Sequence, residues 1–190
     1  MSNVALFIKP EVIKQDVYVD ENVDVKYIVN ATAISQELYI LPILGTGLYD
    51  EIKTQITAGS LSALNTTLLT SYIQPALKYW VFFEAVEMLN MKVSNKAIMK
   101  KNSDNSQPID LSEVLYMKDK FRNIAEWKTE RIIKYLLQNQ TSYPLYLNPG
   151  NGVDTIYPKH NSYSVGWNLN KKYGCSDCDI RINHLTPPDL

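Results

Sequence analysis

The chain has 190 residues, with 19 basic and 20 acidic side chains and a formal net charge of -1. This length suits one domain of ordinary size plus a tail. The charge balance gives no general electrostatic reason for binding DNA, RNA or an anionic membrane. The two cysteines provide no disulfide framework and favour a reducing compartment. Because no charged stretch followed by an apolar stretch opens the sequence, we expect no export signal.

The first third of the sequence predicts an arm followed by two helices. Residues 1–19 contain a short apolar run that ends at a proline, which indicates an extended arm with at most one helical turn. An amphipathic helix is predicted from Asp20 to just before Pro42, and a turn at residues 45–47, Gly-Thr-Gly. A second helix then runs to Gly59, where glycine suits a left-handed cap.

Residues 72–91 predict a helix with more apolar surface to bury than any other segment, because aromatic and apolar residues follow one another at residues 79–83 without a polar break. Successive helical residues point about 100° apart, so this helix must be covered on more than one side. The cover is either a second layer of helices or a neighbouring molecule. Lys78, Glu84 and Glu87 interrupt the run too soon for a membrane span. The side chains predicted for a subunit interface are Tyr79, Trp80, Phe82 and Phe83.

Helix starts after residue 59 are marked by capping residues. Ser60 or Ser62 can begin the helix that leads into the aromatic stretch. Asp110, with Glu113 three residues later, predicts the start of a long amphipathic helix. The polar residues 94–107 between these helices predict a loop.

Residues 141–190 form a segment rich in proline and glycine in which no helical period survives. A structureless loop of this length is improbable inside a compact domain, so we interpret it as a tail. Its aromatic content exceeds that of a typical solvated chain, which predicts that it docks on a partner. The residues predicted to dock are Tyr143, Tyr146, Tyr157, Tyr163, Trp167 and Tyr173.

The sequence offers little support for catalysis. A redox Cys-x-x-Cys site needs a βαβ frame, which is missing around Cys175 and Cys178. These cysteines with His184 and His160 are weak candidates for a zinc site, because their spacing matches no recognised finger. With both histidines in the tail, no Ser-His-Asp or Cys-His arrangement is predicted. We expect no enzyme activity, no cofactor and no metal.

These observations predict a mainly α fold, a small helical bundle of about four to five helices with an extended N-terminal arm and a long irregular C-terminal tail. The predicted boundaries are an arm at residues 1–19, a helical body at residues 20–140 and a docking tail at residues 141–190.

Two segments carry a family resemblance: LFIKPEVI at residues 6–13 and YILPILGTGLYDEI at residues 39–52. Followed by an aromatic-rich helix and a long last helix, they resemble the head-tail connector (adaptor) proteins of tailed bacteriophages, in particular those of crAss-like Bacteroidetes phages. The resemblance covers about residues 4–139 and leaves the tail outside it.

The resemblance implies a virion structural protein, made in the bacterial host cytoplasm and located at the head-tail junction. Its expected partners are other copies in a homo-oligomeric ring of about twelve, the portal protein, and adjacent tail or connector rings. DNA would pass through the lumen without sequence-specific contacts, and no membrane is involved. The alternative is a small helical enzyme or regulatory module whose tail folds back and binds zinc.

Overall fold

The structure is a computed structural model that describes residues 5–15, 23–93, 98–100 and 110–159. The fold is mainly α, which confirms the predicted class. The helices are α1 (Pro10–Lys14), α2 (Val25–Ser35), α3 (Leu41–Ala58), α4 (Ala63–Leu68), α5 (Gln74–Asn90), α6 (Leu111–Gln138) and α7 (Pro144–Leu147). Single π-helical segments, Gln36–Ile40 and Leu69–Ile73, join α2 to α3 and α4 to α5, and a 3-10 turn, Gln140–Ser142, precedes α7.

Capping residues set several of the helix ends, largely as the sequence predicts. The Asp24 carboxylate accepts from the backbone N–H of Lys26, so α2 begins at Val25 and not near Asp20. Ser62 caps α4 through the N–H of Asn65. Helix α3 ends at Gly59, whose φ of 66° and ψ of 20° place it in the left-handed region. Helix α6 begins at Leu111, directly after Asp110.

Within the predicted loop at residues 94–107, the described residues form a strand. Strand β1 (Met91–Val93) pairs antiparallel with strand β2 (Ile98–Lys100), with Lys92 opposite Met99. Such a short ladder adds a hairpin to the end of α5 and leaves the fold class unchanged.

Helix α5 is the central element, because it packs against both α2 and α6. Its residues Ala76, Leu77 and Val81 are fully buried. Toward α6, the ring of Phe82 lies 5.7 Å from the ring of Phe121. The second layer that the aromatic stretch requires is therefore supplied by the chain itself, and α5 does not need a neighbouring molecule to cover it.

The N-terminal arm is part of the core. Phe7 and Ile8 are buried, and the side chains of two glutamines hold the backbone between them. The N–H of Phe7 donates to Gln36 Oε1 at 2.7 Å, and Gln74 Nε2 donates to the carbonyl of Phe7 at 2.8 Å. Gln36 Nε2 also donates to the carbonyl of Ala5 at 3.2 Å. This segment forms no strand; its backbone N–H and C=O groups bond to glutamine side chains instead of to a neighbouring strand.

By length and composition alone, the run Val25–Ala58 could cross a membrane, with a mean hydropathy of 1.2 over its most apolar window. Half of that window is buried inside the fold. The core helix of a globular domain has the same properties, and Ile28, Ile40 and Leu44 are buried here within the protein. The fold thus accounts for these apolar residues without a membrane.

Candidate functional site

Helix α3 is broken at Gly45, and a distant part of the chain fills the break. Gly45 has φ 75° and ψ 160° inside an otherwise helical run, a conformation that is essentially restricted to glycine. A Cβ atom at this position would lie 2.8 Å from Cγ of Pro158 and 3.1 Å from the carbonyl oxygen of Ile156. Glycine is therefore required both by the backbone and by the close approach of the C-terminal segment.

The break replaces one helical hydrogen bond with bonds to that segment. In an unbroken α-helix, the N–H of Thr46 would donate to the carbonyl of Pro42. Instead, the N–H of Thr46 donates to the carbonyl of Ile156 at 3.1 Å, and the carbonyl of Pro42 accepts from the N–H of Lys159 at 2.8 Å. The N–H of Ile156 donates to Thr46 Oγ1 at 2.8 Å. We call Pro42 and residues 45–47 the kink site, and residues 145–159 the closing segment.

Gly47 completes the kink site on the other side of Thr46. A Cβ atom here would lie 2.8 Å from Cα of Pro149 and 3.1 Å from the carbonyl oxygen of Leu145. The backbone of the closing segment therefore passes directly over the helix. The Gly-Thr-Gly motif, which the sequence predicts as a turn, instead forms the contact surface for the closing segment.

Two buried tyrosines fix the start of this segment. Tyr143 and Tyr146 are each 2% exposed. The hydroxyl of Tyr143 donates to the carbonyl of Leu64 at 3.0 Å and lies 3.3 Å from the hydroxyl of Tyr135. Burial, followed by the contact with Tyr135, raises the pKa of Tyr143 above its usual value. Burial likewise raises the pKa of Tyr146, whose hydroxyl has no hydrogen-bond partner among the described residues.

The predicted boundary at residue 141 falls before two tyrosines that pack into the core. Because Tyr143 and Tyr146 are buried inside the chain itself, they offer no surface to a partner in this conformation. Tyr157 is 65% exposed, so its ring remains accessible to a partner. Tyr163, Trp167 and Tyr173, and the zinc candidates Cys175, Cys178, His184 and His160, lie outside the described residues.

A cleft of about 370 Å³ lies beside the kink site. Its walls come from the first π segment, α5, α6 and the closing segment, and Lys159 stands at one wall. The ring of Tyr39 stacks on Trp80 at 3.7 Å, and its hydroxyl donates to Glu84 Oε1 at 2.6 Å. Burial first, and then the bond to Glu84, raise the pKa of Tyr39. Such a volume is at the lower end of small-ligand pockets.

The polar groups of this cleft are engaged with one another. Trp80 Nε1 donates to Thr129 Oγ1 at 3.0 Å, and Thr129 Oγ1 donates to the carbonyl of Ala125 at 2.8 Å. The side chains of Arg122 and Glu126 form an ion pair at 2.9 Å. The bond from Tyr39 to Glu84 joins the first π segment to α5, and the bond from Trp80 to Thr129 joins α5 to α6, so these polar contacts hold the walls of the cleft together.

The residues predicted for a subunit interface are mostly internal. Trp80 and Phe82 are 5% and 3% exposed, so a partner cannot reach them in this conformation. Tyr79 and Phe83 are half-buried, and the ammonium of Lys118 lies 4.4 Å from the centre of the Phe83 ring. Among the described residues, no group of three or more His, Cys, Asp or Glu side chains is placed to hold a metal ion.

Sequence reasoning missed the kink site as a contact and missed Trp127, which is 57% exposed on α6. The sequence features related to this contact are two glycines that flank a threonine and a proline-rich segment elsewhere in the chain. They do not predict which residues are in contact.

The fold and the kink site define a helical domain that is closed by its own C-terminal segment. The chain belongs to the DUF6712 family, a family of unknown function, whose model matches residues 40–156. This range begins one residue before the broken helix and ends at Ile156, so it includes the kink site and most of the closing segment. No curated protein and no solved structure matches the chain.

Proposed function

We propose that the chain is a virion structural protein, a subunit of a head-tail connector ring attached below the portal of a tailed bacteriophage. In this role it joins capsid to tail and lets DNA pass through the lumen of the ring. It acts through surfaces, and no residue performs chemistry. The family match gives a domain without an assigned role, so the proposal depends on other observations.

The observation that carries the proposal is the resemblance of residues 39–52 to connector proteins, combined with what these residues build. They form the kink site, which ties the closing segment to the body as far as Lys159. Residues 160–190 therefore start from a fixed point on the body. Tyr163, Trp167 and Tyr173 in that stretch supply the aromatic surface that a docking extension needs.

A second supporting observation is the exposed aromatic surface of the body. Tyr116 and Trp127 are 73% and 57% exposed on α6, and Tyr157 is 65% exposed on the closing segment. Large aromatic side chains are enriched where proteins associate. Because Trp80 and Phe82 are buried, we expect contacts between subunits to use other, exposed side chains.

The test is the native mass of the purified full chain, alone and mixed with the portal ring of its phage. The proposal predicts either a ring, or a monomer or small oligomer that converts to a ring-sized complex on the portal. The matched control is a chain of the same length with Tyr163, Trp167 and Tyr173 replaced by serine, which should stay folded and lose the complex. A full chain that ignores the portal and never forms a ring would overturn the proposal.

A further inference from the structure

The outward side of α6 carries two large exposed aromatic residues among charged ones. We define the outer face of α6 as Glu113, Tyr116, Trp127 and Arg131, with Lys120 and Asn123 between them, all of which are exposed. Single exposed aromatic residues are common on protein surfaces. Two on one helix face, accompanied by an exposed arginine, have the composition of an association surface.

The spacing of these residues is self-complementary. At 3.6 residues per turn, Tyr116 and Trp127 lie about three turns apart, and Glu113 and Arg131 lie about five turns apart. Each pair therefore leaves the same side of the helix. Both pairs are also centred near the same point, Arg122 on α6.

A two-fold axis at the level of Arg122, perpendicular to α6 and beside its outer face, would bring unlike groups together. It sets a second α6 antiparallel to the first, so that residues below the centre of one helix meet residues above the centre of the other. Tyr116 then faces Trp127 of the other copy, and Glu113 faces Arg131 of the other copy. Each contact occurs twice, and Lys120 lies opposite the amide of Asn123.

The position of Arg131 favours this use. Its guanidinium carbon lies 5.9 Å from the centre of the Tyr72 ring and 5.7 Å from the centre of the Trp127 ring. These contacts hold the side chain near the outer face before any partner arrives. Lys78 and Arg131 also lie close enough to Lys128 to lower its pKa, after burial as the larger cause, so three cations are grouped here.

The helix dipole explains only part of the charge pattern. An acid in the first turn, Glu113, is expected on any helix. Basic residues in the last turn would be expected for the same reason, but the last turn of α6 contains none. Arg131 lies nearly two turns earlier, where the effect of the dipole has faded.

We propose that the isolated protein forms an antiparallel, two-fold-symmetric dimer through the outer face of α6, with Trp127 on Tyr116 and Arg131 on Glu113 of the other copy. A single pair of helices makes a small interface, so the dimer is expected to be weak. The inference goes beyond the proposed ring, whose head-to-tail contacts need two different surfaces.

The test is sedimentation of the full chain over a wide concentration range. We expect a reversible monomer–dimer equilibrium that Arg131→Glu or Glu113→Arg weakens about tenfold, because each reversal places like charges together at two symmetric positions. The double variant, Glu113→Arg with Arg131→Glu, exchanges the charges and should restore the dimer. Glu11→Lys, a charge reversal at an exposed site on α1, is the control and should leave the equilibrium unchanged.

Crosslinking gives a second readout that does not depend on affinity. With Cys175 and Cys178 changed to serine, Asn123→Cys should form a covalent dimer on oxidation, because residue 123 lies close to the axis. Tyr116→Cys should not, since the two copies of that residue are separated by the length of the interface. A chain that stays monomeric, a failure of the exchanged charges to restore dimerisation, or efficient crosslinking at residue 116 would each overturn the inference.

Discussion

The substitution Gly45→Ala tests the contact between the kink site and the closing segment. The new methyl group meets two obstacles: a backbone with φ 75° and ψ 160°, and the ring of Pro158, whose Cγ and Cδ would lie 2.8 and 2.9 Å away. Keeping the break costs about 1–3 kcal/mol for the backbone alone, and the displacement of Pro158 adds to this. The alternative is to straighten the helix and release the closing segment.

Release has a cost that the wild type and the variant share. It breaks the three hydrogen bonds that join Thr46 and Pro42 to Ile156 and Lys159, each worth about 1 kcal/mol net. Straightening restores one helical bond between Thr46 and Pro42, and alanine is favoured over glycine in a helix by about 1 kcal/mol. Loss of the apolar contact of Pro158 returns part of that gain. What the substitution changes is the strain of about 1–3 kcal/mol in the closed state and the preference of about 1 kcal/mol for alanine in the straightened helix. The contact should therefore weaken by about 2 kcal/mol or more, which is at least a tenfold rise in the released population.

The assay is native-state cleavage by trypsin after Lys159, measured by mass spectrometry of the product that ends there. Lys159 is exposed but its N–H is bonded to Pro42, so cleavage requires the segment to open. Gly59→Ala is the matched control. Gly59 also has a positive φ, of 66°, but a Cβ there meets nothing within 4 Å. We expect cleavage to be at least about tenfold faster for Gly45→Ala and unchanged for Gly59→Ala. Equal cleavage in the wild type and Gly45→Ala would refute this reasoning.

Three further predictions follow from the same contacts. Thr46→Val removes the acceptor for the N–H of Ile156 and should destabilise the closing segment by about 1 kcal/mol, whereas Thr46→Ser should not, as denaturant titration would show. Tyr143→Phe should lower the free energy of unfolding by about 1 kcal/mol, because the carbonyl of Leu64 loses its donor, while Tyr146→Phe should leave it unchanged or raise it, since that hydroxyl has no described partner. Burial raises the pKa of Tyr39 and Tyr143 in the folded state, so their contribution to stability is complete below about pH 10, the ordinary tyrosine value, and is lost as the pH rises above it; replacing both by phenylalanine should flatten that fall in alkaline unfolding curves.

Local signals predicted the helical body well. Ser62 and Asp110 start helices, and Gly59 ends one, because caps satisfy backbone groups within three or four residues of themselves. The apolar run of α5 correctly indicated cover on more than one side. The sequence could not say what supplies the cover, since α2, α6 and a neighbouring subunit all present apolar side chains.

The kink site shows more clearly what the sequence does not predict. Thr46 and Ile156 are 110 residues apart and meet through backbone atoms. Backbone donors and acceptors are the same in nearly every residue, so this pairing leaves no side-chain pattern to detect. The glycines indicated a special conformation at residues 45–47, and a local turn was the simplest interpretation. For the same reason, the sequence does not show that Tyr143 and Tyr146, which follow the predicted boundary at residue 141, belong to the core.

The most direct test of the account uses a chain that ends at Lys159, compared with the full chain for stability and for joining the portal ring. The account predicts that this shorter chain unfolds at the same denaturant concentration, because Tyr143, Tyr146 and the closing segment are retained, but that it no longer forms a complex with the portal. If the shorter chain joins the portal as the full chain does, residues 160–190 are not the docking extension, and the central claim is contradicted.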